Sequence, residues 1–168
     1  PRLGFFLSGN LTDELDNRPL NGGSYRVKKE VRDALLANPL SPTSTGTGTF
    51  HNSSFLRKDD FEKVDWRMNA RNTTVSASAK IDVNTGPSVN LTFGGSLNYN
   101  YGNAYSYSNS LLNFTNFGKT NNLDWRVYGR FTQRFSNKEE GSSSKIKSAF
   151  YSIMVDFSKS KSEAYDPK

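Results

Sequence analysis

The chain has 168 residues, a formal net charge of +6 and no cysteine, which excludes disulfide frameworks, thiolate metal sites and thiol catalysis. Its mean hydropathy is −0.70, and no run of roughly 18 apolar residues occurs, so a transmembrane helix is excluded while a transmembrane barrel, whose strands alternate apolar and polar residues, is not. The basic residues are scattered, and the densest group (Lys28, Lys29, Arg32) is interrupted by Glu30 and Asp33, so the charge does not point to nucleic acid.

In chain order, Leu3, Phe5, Leu7, Gly9 and Leu11 alternate with mostly polar neighbours and predict a strand near 2–12, with Phe6 as the exception. The connection 13–71 is long. Within it Val27, Val31, Ala34 and Leu35 recur at helical spacing and Asn38-Pro39 stops the pattern, predicting a short helix near 25–37. Residues 41–50 are rich in Gly, Ser and Thr and read as exposed loop. Residues 59–64 suggest one further helical turn.

The clearest signal starts at 72. Val75, Ala77, Ala79, Ile81 and Val83 alternate with Ser76, Ser78, Lys80 and Asp82, the period of a half-buried strand over 72–83. Asn84-Thr85-Gly86-Pro87 has the residue types of a tight turn. A strand over 88–101 follows, with Val89, Leu91, Phe93, Leu97, Tyr99 and Tyr101 on one face and Asn90, Thr92, Ser96 and Asn98 on the other. After a long connection (102–121), Leu123, Trp125, Val127, Phe131 and Phe135, broken by Gln133, alternate with Asp124, Arg126, Arg130 and Arg134 over 122–136. A polar connection from Asn137 to Ser144 leads to a strand over 146–160. There Tyr151, Ile153, Val155 and Phe157 alternate with polar residues that include Asp156, while Phe150 and Met154 interrupt the polar face.

These elements predict an all-β chain, a partial antiparallel transmembrane β-barrel of about five strands with one long, partly helical extracellular loop at 13–71. Connections alternate long and short, as in bacterial outer-membrane barrels. The strand over 88–101 would span about 46 Å at roughly 3.3 Å per residue, more than the roughly 35 Å needed to cross an apolar band of about 25 Å at a 45° tilt. The odd-numbered apolar residues of 75–83, 89–101, 125–135 and 151–157 are expected to face lipid. Lys80, Asp82, Asn90, Asn98, Arg126, Arg130, Arg134 and Asp156 are expected to face the lumen. About five strands cannot close a barrel, and open edges in lipid leave backbone groups unsatisfied at several kcal/mol each. The segment is therefore expected to be part of a larger barrel, with any export leader outside it, since Pro1-Arg2 opens no basic-then-apolar sequence.

The residues also carry a specific likeness. The stretch Asn90-Leu91-Thr92-Phe93-Gly94-Gly95-Ser96, the run Leu123 to Phe135 (LDWRVYGRFTQRF), Ser148-Ala149-Phe150-Tyr151, and the loop from Phe50 to Lys63 together resemble the early barrel portion of TonB-dependent outer-membrane receptors of the Bacteroidota type. That resemblance implies a larger barrel closed by a plug, residence in the bacterial outer membrane, and import of a nutrient driven by the inner-membrane TonB complex. It also implies barrel strands, plug and outer-membrane lipid as partners, and admits a surface lipoprotein. It implies no cofactor and no enzymatic activity. Two alternatives stay open: a structural or secretion-machinery outer-membrane barrel that imports no small molecule, and a soluble β-sandwich binding module.

Three candidate groups follow. Arg126, Arg130 and Arg134 form either an electropositive wall for an anionic substrate or plug carboxylates, or an array paired with acids of neighbouring strands; pairing is the simpler expectation. Tyr105, Tyr107, Phe114 and Phe117 in the third connection either stack on a ligand or pack between loops. Asp59, Asp60 and Glu62 fit no calcium-loop spacing and read as a salt-bridged helix end. No Ser-His-Asp set or carboxylate dyad is visible, and Gly94-Gly95 inside a strand suggests relief of crowding against the plug or a neighbour.

Overall fold

A computed structural model describes residues 2–136 and 148–167. Five long strands form one antiparallel sheet: β1 (Leu3–Glu14), β6 (Asn72–Asn84), β7 (Val89–Asn103), β8 (Lys119–Ser136) and β9 (Ser148–Tyr165), neighbouring one another in that order. Four short strands lie in the connection after β1: β2 (Ser24–Val27), β3 (Leu40–Pro42), β4 (Thr49–His51) and β5 (Phe61–Val64). The described residues also form two α-helices, α1 (Lys29–Ala37) and the single turn α2 (Tyr107–Ser110), and two 3₁₀ turns, Asn52–Phe55 and Lys58–Asp60. The expected strands all appear. They run two to five residues further at the loop-connected ends of β1, β7, β8 and β9, because the apolar alternation fades there into mostly polar residues that still satisfy the backbone ladder. The expected connection Asn137 to Ser144 and the start of the last strand at 146–147 lie outside the described residues.

The chain forms two compact units. Unit 1 comprises 1–12, 73–101 and 121–163. Its sheet has two chemically distinct faces. At even-numbered positions polar side chains meet across strands. The hydroxyls of Ser8 and Ser78 lie 2.7 Å apart, Ser76 donates to Asn98 Oδ1 at 2.7 Å and Asn100 Nδ2 to Thr74 at 2.8 Å. Between β8 and β9, Thr132 and Ser152 hydroxyls are 3.1 Å apart, and Ser160 donates to Asp124 at 2.5 Å. At odd-numbered positions rings meet instead. Trp125 lies 5.4 Å from Phe157, Phe131 and Phe135 each 5.9 Å from Tyr151, and Tyr99 stacks on Tyr101 at 5.6 Å. Gln133 is a polar residue among these rings, and the Tyr151 hydroxyl satisfies it by donating to its Oε1 at 2.7 Å.

Unit 1 contains no buried apolar side chain among the described residues; the buried members of its sheet are Thr73 and Thr92. Phe93 is 53% exposed, Ile153 59% and Val155 73%.

Unit 2 comprises 13–72, 102–120 and 164–168 and does have an apolar core. Val27, Phe114 and Phe117 are buried, with Val31, Leu56, Phe61, Met68 and Tyr105 packed against them. β2 pairs with β5 so that Val27 faces Phe61 and Arg26 faces Glu62. The latter pair closes an ion pair at 2.6 Å. The helix expected over 25–37 begins at Lys29 instead, since the β2–β5 ladder captures 24–27 and a residue cannot serve both. The helical turn expected at 59–64 is a 3₁₀ turn over Lys58–Asp60 that passes directly into β5. β3 and β4 make a small hairpin around the Gly-rich loop, where the Thr43 amide donates to the Gly48 carbonyl at 3.1 Å.

Candidate functional site

The polar face of the sheet is the first candidate. A cavity of about 550 Å³ crosses all five strands on that side, lined chiefly by small polar residues such as Ser8, Ser76, Ser96, Asn98 and Ser160 together with Arg126. Strand alternation puts these residues on one face because successive side chains point oppositely. Short side chains leave the hollow open. Gly94 on this face and Gly95 on the opposite one both pack against β8: a Cβ on Gly94 would lie 2.5 Å from the Tyr128 ring, and one on Gly95 would lie 2.8 Å from the Arg126 carbonyl oxygen. The crowding that the glycines relieve thus comes from β8.

The expected polar positions separate by what holds them. Asp82 accepts from Lys80 at 2.8 Å and from the Thr92 hydroxyl at 2.6 Å. Asn98 is engaged with Ser76. Arg126 pairs with Asp156 at 2.6 Å and lies 5.8 Å from the Tyr128 ring centroid. The paired-array expectation therefore describes Arg126 but not its two neighbours. Among the described residues Arg130 bonds only the Met154 sulfur, at 3.6 Å, while its charge also acts on Asp82, and Arg134 enters no side-chain hydrogen bond or ion pair. Asn90 lies on the same face with its Oδ1 buried and without a donor. Met154 is a contact that the reading of polar and apolar positions missed; its interruption of the polar face was the available signal.

The apolar face bears the other expected residues. Ile81, Phe93, Leu97, Tyr101, Val127, Phe135, Tyr151, Ile153, Val155 and Phe157 are all substantially exposed. Ala77 and Ala79 are also exposed, whereas Val75, Val83, Val89, Leu91, Tyr99, Trp125 and Phe131 are half-buried among their strand neighbours. A shallow groove of about 350 Å³, almost wholly apolar, runs over Ala77, Ala79 and Gly95 between Leu7, Leu97 and Trp125.

In unit 2 the four loop aromatics divide. Phe114 and Phe117 are core residues, and Tyr105 stacks on Phe117 at 5.7 Å. Packing, one of the two open readings, is what occupies these three rings. Arg26 and Arg32 each lie 5.4 Å from the Phe114 centroid, and Arg67 lies 4.6 Å from that of Tyr105. Tyr107 alone stands open, 75% exposed. Two backbone ties hold the connection: Val27 N donates to Leu111 O at 2.9 Å, and Asn69, in a left-handed conformation that Asn tolerates, donates through its amide to the Phe114 carbonyl.

The electrostatic centre of unit 2 is Asp16 with Arg67. Their side chains are 3% and 14% exposed and meet at 2.5 Å. The Arg67 guanidinium, bonding the carboxylate, holds Asp16 down to about 2 against the cost of its burial. Asp60 accepts from the Arg57 amide at 2.6 Å and Glu62 is taken by Arg26, so two of the three acids in the 59–62 group are engaged locally. Among the described residues no group of three His, Cys, Asp or Glu is placed to hold a metal ion.

Comparison with known protein families, with curated proteins and with solved structures yields no match to this chain.

Proposed function

We propose that the chain forms wall strands of a bacterial outer-membrane β-barrel, of the plugged, TonB-dependent kind that imports nutrients, and that it has no catalytic role. The observation that carries this reading is the separation of the two sheet faces. Polar side chains satisfy one another across strands on one side, while on the other rings and branched aliphatics contact one another and remain uncovered. A sheet with an aqueous face normally buries its apolar face in a protein core. Here that face has no such core, and hydrocarbon is the medium in which an exposed apolar band is stable.

Dimensions support the same reading. β7 has 15 residues and β8 and β9 have 18 each, or about 50–60 Å at roughly 3.3 Å per residue. Soluble strands average about a third of that. The connections after β1 and β7 are long and that after β6 is a tight turn, the alternation of outer-membrane barrels. β1 and β9 have one free edge each. In lipid those edges require further strands, because unpaired backbone groups there cost several kcal/mol each. The transporter assignment rests on the resemblance of 90–96, 123–135 and 148–151 to that family, and nutrient uptake is its consequence.

The test compares two substitutions in β7. Leu91→Arg is expected to destabilise the intact protein in bilayers by about 2–4 kcal/mol, the cost of a cation on a lipid-facing site near the midplane. Ser96→Arg, on the wet face, is expected to be far milder. Equal costs in reversible denaturant unfolding would overturn the proposal.

A further inference from the structure

At the end of the sheet opposite the long connections, the polar face opens into a second cavity, of about 630 Å³. Ser88, Arg130, Thr132, Arg134 and Ser152 line it with Phe150, and among the described residues no carboxylate does. A smaller cavity of about 180 Å³ shares Ser88, Thr132 and Arg134 with it and adds Asn90. Among the described residues the nearest acids already have partners: Asp82 bonds Lys80 and Thr92, with the Arg130 charge also acting on it, and Asp156 bonds Arg126. Two guanidiniums, each with five donors, therefore share a hollow whose other polar side chains, among the described residues, are hydroxyls. In the smaller cavity Asn90 Oδ1 is buried and has no donor among the described residues. Phe150, at an otherwise polar position, presents a ring that is 74% exposed.

We propose that this cavity binds an organic anion. Its carboxylate or phosphate head is held by Arg130 and Arg134 with help from the Thr132 and Ser152 hydroxyls, and its carbon body lies against Phe150. A hydroxyl or amide N–H of the ligand supplies the donor that Asn90 lacks. Arginine suits this task because its planar fork meets a carboxylate or phosphate through two parallel bonds. The head group has two possible sources, a free organic anion or an acidic side chain of a protein segment inside the barrel. The groups that hold the head, Arg130, Thr132, Arg134 and Ser152, lie on the polar face, so the site does not require the other face to meet lipid.

Arginine-selective modification by phenylglyoxal, followed by peptide mass spectrometry on the intact protein in detergent micelles, tests the site and separates the sources. If the anion is free, Arg130 and Arg134 are labelled in buffer and phenylphosphonate slows both, while Arg18 in the first connection is unaffected. If the head belongs to the protein, both are protected in buffer and high salt exposes them. Labelling insensitive to phenylphosphonate and to salt would overturn the proposal. In the first case Phe150→Ala is expected to raise the phenylphosphonate concentration for half-protection by about fivefold, the effect of losing one ring contact. An unchanged concentration would remove Phe150 from the site.

Discussion

Asp16 and Arg67 show how one contact decides the behaviour of a loop. The pair ties the segment just after β1 to the segment just before β6, with Arg67 donating to Asp16 through its backbone amide at 2.8 Å and its Nε at 2.9 Å as well. The Asp16 carboxyl is held below its ordinary 3.8, at about 2. A depressed carboxyl contributes stability above the unfolded value, and that contribution disappears as pH falls through the folded value. Unit 2 should therefore loosen between about pH 4 and pH 2, with a loss on the order of 1–2 kcal/mol. Pepsin cleavage within 13–72, followed across that window, should accelerate as the pH drops. Asp16→Asn should show the faster cleavage already at pH 4, and identical profiles for the two proteins would exclude the role.

The loop aromatics give a second contrast. Phe114→Ala removes a buried ring flanked by Val27 and two arginines and is expected to cost about 3 kcal/mol. Tyr107→Ala removes an exposed ring and should leave stability unchanged. Hydrogen exchange at the Val27 amide, which bonds the Leu111 carbonyl, reads both. Sequence reasoning could collect these four rings but not sort them, because 102–121 has no period from which burial could be read.

For the strands, local pattern decides nearly everything. Period-two alternation over 75–83, 89–101 and 123–135 assigns each side chain to a face, since a slip by one residue would exchange the faces entirely. The observed contacts respect that parity on all five strands. Gly94 and Gly95 differ in a way that parity alone does not convey. Gly94→Ala meets a Tyr128 ring that can swing aside, whereas Gly95→Ala drives a methyl into the Arg126 backbone carbonyl. Gly95→Ala should therefore weaken the β7–β8 pairing more, by about 1–3 kcal/mol against a smaller loss for Gly94→Ala. Thermal melts of the two variants measure the difference, and the reverse order would contradict the packing described. The β2–β5 pair shows where local pattern misleads. Residues 25–28 continue a helical spacing, yet the strand wins because Val27 gains a buried position opposite Phe61 that a helix turn would not supply.

At the scale of the whole chain, the sheet has an uncovered apolar face and two open edges while unit 2 carries its own core. Such an arrangement should not remain dispersed in water. Expressed alone, the chain is expected to aggregate in buffer and to become monodisperse only with detergent. A stable monomer in detergent-free buffer, seen by light scattering, would instead favour the soluble sandwich.

Composition and alternation determined by themselves that this is a β chain with two unlike faces and long strands, because strand geometry converts position parity directly into direction. They also delimited the long connections and marked the three arginines. Only the tertiary structure decided which arginine is neutralised and which aromatics are core. Those outcomes depend on which residues of other strands and distant loops arrive opposite them: Asp156 comes to Arg126 across β8 and β9, and Val27 comes to Phe114 across some ninety positions of sequence. Partners so far apart leave no periodic trace in the chain that brings them together.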